Sequence, residues 1–398
     1  MRLERRRHHR RGRLVRRVAA AACVVLLVLA RTGAAPHASP QAAAKPKQVP
    51  APRSTFAQLS AAAAAAREAG RLEDAVGLYR KALGLRPSWD EGHWYLGTVL
   101  YELQRHAEAR AAFAQLLRTQ PTHAGAMALT GLCAFAQGEH DAALRALLQA
   151  RQLNIQQTPE LADVVRYHAG ILLTRFGEFE AGTQILVELP ADGMESPRVV
   201  EAFGLNLLRM PMLPAEIPGE ARSLVQLAGQ AGVAMATRQA AQAAALLERL
   251  VAEFPTTPNV HYAWGTFLLT TDPQRAMAQW RRELEISPGH VAARLQLAAE
   301  LLKQGDAASA RPHAEGAVQV APQEFAPRLA LGQVLLGLGD VAGAVGELET
   351  GVTLAPASAQ AHYLLAIAYA RAGRPKDAER ERAAFTKLSG SAQASGSR

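Results

Sequence analysis

Residues Trp94–Pro121 read WYLGTVLYELQRHAEARAAFAQLLRTQP, and Leu329–Pro356 read LALGQVLLGLGDVAGAVGELETGVTLAP. Both place a glycine (Gly97, Gly332) twelve residues before an alanine (Ala109, Ala344). A bulky apolar residue follows four later (Phe113, Leu348), and a proline eight after that (Pro121, Pro356). The same marks recur along the chain. Ala75, Ala109 and Ala143 stand 34 apart, and Ala243, Ala276, Ala310, Ala344 and Ala378 follow at 33 or 34. Bulky partners stand at Tyr79, Phe113, Leu147, Leu247, Trp280 and Leu348, and prolines at Pro87, Pro121, Pro255, Pro288, Pro322 and Pro356. A small residue comes earlier in each unit: Ala63, Gly97, Gly131, Gly170, Ala231, Gly265, Ala298, Gly332 and Ala366. One register held across nine units is a repeat architecture.

Each unit reads as two helices. Val291, Leu295, Ala298 and Leu302 follow helical spacing, and Ser309–Val320 does the same. Gly305-Asp306 and Gly339-Asp340 supply a left-handed stop followed by an N-cap. Thr158-Pro159, Thr257-Pro258 and Asp272-Pro273 put a capping side chain just before a proline suited to the first turn. The phased prolines end the second helix, because the residue before a proline is pushed out of the α region. The small residue of the first helix admits the bulky residue of the second.

On these residues the chain resembles the tetratricopeptide-repeat family. The resemblance spans about 56–388 and implies an all-α fold, an α-α superhelix of about nine helix pairs wound as a right-handed solenoid. The family's usual tryptophan is displaced to Trp94 or replaced by His93, His261 and His362. Each of those histidines precedes an aromatic residue, which marks a structural variant. The register breaks once: a helix-like run from Pro197 to Arg209 meets Pro211, Pro214 and Pro218, which forbid a partner helix. The expected organisation is therefore four repeats at 55–189, an irregular Pro-rich unit at 190–222, and five repeats at 223–388. The polar last helix closes the stack, and 389–398 is a disordered tail.

The 398 residues carry 44 basic and 35 acidic side chains, a formal charge of +9. Residues 1–34 hold ten arginines and a single acid, Glu4, so the whole excess sits there. Thirteen uncharged residues, Val18–Ala30, follow the basic start, and Arg31-Thr32-Gly33-Ala34-Ala35 suits a signal peptidase. The run is short for a membrane span, so 1–34 reads as a cleaved export signal or, alternatively, as a signal-anchor. In that second case the membrane is touched only through this segment. Cys23 lies inside the apolar run rather than closing it, unlike a lipid-modified cysteine. Residues 35–54, with five prolines, form a Pro/Ala-rich linker. The expected location is exported, periplasmic or secreted. Without a basic body there is no phosphate-binding footprint, so no nucleic-acid partner is expected.

The sequence holds no familiar reactive motif. It has no GxxxxGK[ST] loop, HExxH, DxDxDG or Gly-x-Ser-x-Gly elbow, and Cys23 and Cys133 are its two cysteines. His93, His106, His123 and His140 are scattered rather than convergent, so no metal site, catalytic residue or cofactor is expected. Glu283 and Glu285 resemble paired carboxylates, but alternating charge on a helix reads as a solvated face. What remains is the concave groove that the family resemblance implies. Projected on the register, its candidate lining is Trp94, Tyr101, Phe135, Tyr167, Tyr262, Gln333 and Tyr363. A mostly aromatic lining fits proteins or peptides with apolar or amphipathic segments. Packing of repeat on repeat explains the same rings without any partner. The reading is a non-enzymatic exported scaffold for protein–protein interaction at the cell envelope. The alternative is an adaptor or glycan-binding component of a polysaccharide export or envelope assembly pathway.

Overall fold

The computed structural model describes residues 54–153, 155 and 159–396. The export signal read at 1–34 and the linker up to 53 lie outside the described residues, as does the Thr158 cap. Every regular element among the described residues is a helix.

Two compact units divide the chain. The first comprises the described residues up to Leu173 together with Gln184–Pro190. Its helices pack in consecutive pairs: α1 (Phe56–Glu68) with α2 (Leu72–Leu85), α3 (Asp90–Glu102) with α4 (His106–Thr119), and α5 (Ala124–Ala136) with α6 (His140–Gln152). Helices α7 (Pro159–Arg175) and α8 (Phe179–Leu186) run across the division.

The second unit comprises Thr174–Thr183 and the described residues from Ala191 onward. It opens with α9 (Pro197–Leu207), and then pairs α10 (Arg222–Ala236) with α11 (Ala240–Glu253) and α12 (Val260–Leu268) with α13 (Pro273–Ile286). The pairs α14 (Val291–Lys303) with α15 (Ala307–Val320), α16 (Phe325–Leu338) with α17 (Val341–Leu354), and α18 (Ala359–Arg371) with α19 (Pro375–Gly396) complete it. Its core is one continuous apolar cluster running from Leu205 to Ala378.

The phased residues do what their sizes dictate. A methyl group added at Gly97 would overlap the Phe113 ring, and one at Gly265 would lie 2.7 Å from Trp280 Cδ1. Gly131 faces Leu147, Gly170 faces Leu186 and Gly332 faces Leu348 in the same manner. The small residue thus sets the distance between the two helices of a pair. Gly305 and Gly339 take φ of +80° and +79°, and the following aspartates cap α15 and α17 by accepting from Ser309 N and Gly343 N at 2.9 and 3.0 Å. Asp272 accepts from Arg275 N at 3.0 Å, with Pro273 in the first turn.

Between α9 and α10 the prolines admit only two single 3₁₀ turns, Pro214–Glu216 and Gly219–Ala221. Helix α9 is nevertheless not left bare. It packs against α10 backbone to backbone, where methyl groups at Gly204 and Gly229 would overlap the carbonyl oxygens of Val225 and Val200. Its buried Asn206 donates to Thr174 Oγ1 (3.0 Å) and to the Phe179 carbonyl (2.9 Å), and accepts from Thr183 Oγ1 (2.6 Å).

Two expectations are overturned. Thr257-Pro258 does not start a helix: α12 begins two residues later, behind Asn259 in the left-handed region (φ +71°). The tail read as disordered from 389 instead continues α19 to Gly396. Nothing in Ser389–Gly396 is a proline, and Ala392 and Ala394 favour the helix.

Candidate functional site

The first helices carry the candidate rings, four of them in the first unit. Trp94 on α3 is half-buried, with its ring 4.9 Å from His123 and 5.8 Å from Phe113. Tyr101, two turns along the same helix, meets His106 at 5.8 Å. Phe135 on α5 lies 4.8 Å from His168 and 5.8 Å from His140, and Tyr167 on α7 lies 5.2 Å from His168. All four rings are half-buried. Three of the histidines read as scattered, His106, His123 and His140, are therefore neighbours of the aromatic candidates.

Local structure holds these imidazoles in place. His123 is the N-cap of α5, its Nδ1 accepting from Ala126 N at 3.1 Å. His168 Nδ1 donates to the Val164 carbonyl at 2.7 Å. Burial pushes His106 below the ordinary histidine range and Tyr101 above the usual phenol range. Each of the four rings thus has a histidine ring as its neighbour.

The three candidates of the second unit differ in their exposure. Tyr262 is only 9% exposed, so it is not an open lining residue. Its ring packs 4.7 Å from His290, and the Arg209 guanidinium lies 5.6 Å from its centroid. Gln333 is half-buried, whereas Tyr363 is 50% exposed and rests on Phe385 at 5.4 Å. The seven candidates thus fall into two sets, Trp94, Tyr101, Phe135 and Tyr167 in one unit and Tyr262, Gln333 and Tyr363 in the other.

Beside Tyr262 lies a polar cluster that the sequence reading missed. Glu283 on α13 is fully buried rather than solvated, and its carboxylate accepts from Asn259 N (2.8 Å) and Tyr262 N (3.2 Å). It thereby satisfies two open donors at the start of α12. Glu285 is exposed and pairs with Arg282, as a solvated face requires. A signal for Glu283 was present in the register. It stands seven residues after Ala276, where other units carry Ala82, Leu116, Ala150, Leu250, Ala317 and Gly351, all buried.

The histidines that replace the family's tryptophan have a structural task. His93, His261 and His362 place Nε2 at 2.8, 3.0 and 3.1 Å from the carbonyls of Pro87, Pro255 and Pro356. Arg294 and Arg328 donate to the Pro288 and Pro322 carbonyls in the same way, at 2.8 and 3.0 Å. In each case the side chain reaches the proline six residues earlier and ties one repeat's end to the next repeat's first helix.

Cys133 is buried, and burial pushes its thiol up to about 12. Among the described residues no group of three or more His, Cys, Asp or Glu side chains could hold a metal ion. Among them, too, no helix is long and apolar enough to cross a membrane.

Two family models match the chain. The tetratricopeptide repeat model matches residues 60–124 and 95–157, and the model of the cilia and flagella-associated protein 70 middle TPR-like domain matches 224–389. No curated protein matches the chain. Among solved structures, MamA 41-end from Desulfovibrio magneticus RS-1 is 22% identical with a TM-score of 0.40, covering 44% of this chain and 97% of that one. YrrB, described as a TPR protein with an unusual peptide-binding site, is 16% identical with a TM-score of 0.36, covering 40% of this chain and 82% of that one.

Proposed function

The chain is a tetratricopeptide-repeat protein, and we propose that it acts as a non-catalytic scaffold whose first-helix rings hold segments of partner proteins. One observation carries this reading: Trp94, Tyr101, Phe135 and Tyr167 stand half-buried in a single unit, each beside a histidine ring. Half-buried aromatic side chains are rigid and lose little entropy on binding, which makes them effective anchors for an apolar or amphipathic segment.

The basic, apolar and small-residue segments of 1–34 support an exported protein working at the cell envelope. N-terminal sequencing of the exported product tests this, and a mature chain still starting at Met1 overturns cleavage.

The scaffold reading is tested by displaying a peptide library against the full chain and repeating the selection with Trp94→Ala and Tyr101→Ala. Enrichment of apolar anchors that both variants lose supports it; unchanged selection by both variants overturns it. The exposed ring of Tyr363 favours a second reading, a glycan-binding adaptor in polysaccharide export, since sugar rings stack on open aromatic faces. Binding on a glycan array without peptide enrichment would select that alternative.

A further inference from the structure

His290 occupies an unusual crossing of interactions in the second unit. It is the N-cap of α14, and its Nδ1 accepts from Ala293 N at 3.0 Å. That nitrogen must therefore be unprotonated, and the proton of the neutral ring sits on Nε2. From there it is donated to Asn259 Oδ1 at 2.9 Å. Asn259 is the left-handed N-cap of α12 whose own N–H ends on buried Glu283. The imidazole lies against Tyr262 at 4.7 Å. One ring thus joins the start of α14, the start of α12 and the Tyr262 side chain.

We infer that His290 is an acid-sensitive latch: its neutral ring holds Tyr262 and the start of α14 in register, and its protonation releases both. A proton on Nδ1 would face the Ala293 N–H, so the cap cannot survive it. The added positive charge would also oppose the N-terminal end of the helix dipole.

The charged and titratable groups around the ring act in both directions. Burial is the largest influence and holds His290 below the ordinary histidine range; Glu283 on α13 opposes it, and Arg209 after α9 reinforces it. Arg209 is itself paired with Glu180 on α8 at 2.6 Å, and Tyr262 on α12 is an un-ionised phenol raised by burial. The folded state prefers the neutral ring, so the contribution to stability is complete above the unfolded histidine value of about 6.5 and is lost as pH falls below it.

His123 repeats the cap and the stacking in the first unit, on Ala126 N and Trp94. The latch rests on the scaffold reading for its use, as a control over what the second unit can hold, but not for its chemistry.

The test needs no partner. Hydrogen exchange of the first turn of α14, corrected for intrinsic pH dependence, is measured on the full chain between about pH 7.5 and 5, a window that brackets the histidine range. The Tyr262 ring resonances are followed over the same range. In the native chain, protection at Ala293 should fall about five- to tenfold, the usual size of a lost cap, with the Tyr262 shift sharing its midpoint. His290→Asn keeps a capping acceptor that does not titrate, and it should flatten both curves. Protection and Tyr262 shifts that stay constant through the range, or a His290→Asn variant with the native pH dependence, overturn the latch. Failure of the peptide selection with an intact titration would remove the scaffold reading and leave the latch standing.

Discussion

The buried carboxylate of Glu283 accepts the backbone N–H of Asn259 at 2.8 Å, across the gap between the second helix of a repeat and the start of its first. A second bond, from Tyr262 N, shares the same carboxylate. Glu283→Ala leaves two donors without that acceptor and should cost about 2–4 kcal/mol, while Glu283→Gln, which keeps one acceptor, should cost about half. Urea titration followed by hydrogen exchange of α12 measures both. Equal stability of the native chain and the Ala variant would falsify the capping role.

Helices α9 and α10 touch through glycine. Gly204→Ala and Gly229→Ala each drive a methyl into a facing backbone carbonyl and should destabilise the second unit by about 1–3 kcal/mol. Gly346 is the control, being exposed on α17 with open space around its missing side chain. Gly346→Ala should stabilise by up to about 1 kcal/mol. Thermal unfolding of the three variants decides the order.

Among the described residues most left-handed helix ends are glycines, but Gln104 and Arg238 also adopt positive φ, +60° and +59°, and both are exposed. Replacing either by glycine removes a steric penalty and should raise stability by up to about 1 kcal/mol. A melting temperature that falls in both variants would show that their side chains contribute more than the backbone loses.

Cys133 should resist chemistry in the folded chain. With its thiol pushed up to about 12, almost none is thiolate near neutral pH. Iodoacetamide should leave the Cys133 peptide unmodified in the native protein and label it fully in denaturant, read by peptide mass spectrometry. Rapid native labelling would mean that α5 opens readily.

The repeat was legible because its marks are residues with few alternatives. Gly97 and Gly332 are small because Phe113 and Leu348 occupy the space beside them. The site was less legible, for two reasons. Register predicts which way a side chain points but not what arrives opposite it, so Tyr262 was expected in the open and is covered by His290 and Arg209. Alternation of charge in Arg281-Arg282-Glu283-Leu284-Glu285 suggested a solvated face, whereas the slot seven after the phased alanine is internal at Ala82, Leu116, Ala150, Leu250, Ala317 and Gly351. Position in the repeat outweighed local pattern.

The ties from side chain to proline carbonyl also bear on how the chain carries load. Pro87, Pro255, Pro288, Pro322 and Pro356 each have a strut from the residue six places on. The remaining phased proline, Pro121, has Met127 at that spacing, and a thioether has no proton to donate. Under tension the turn after Pro121, within the first unit, is therefore expected to yield before the turns that carry a strut. Met127→His should raise the force at which that turn gives way in a single-molecule pulling trace, and an unchanged trace would show that the struts carry no load.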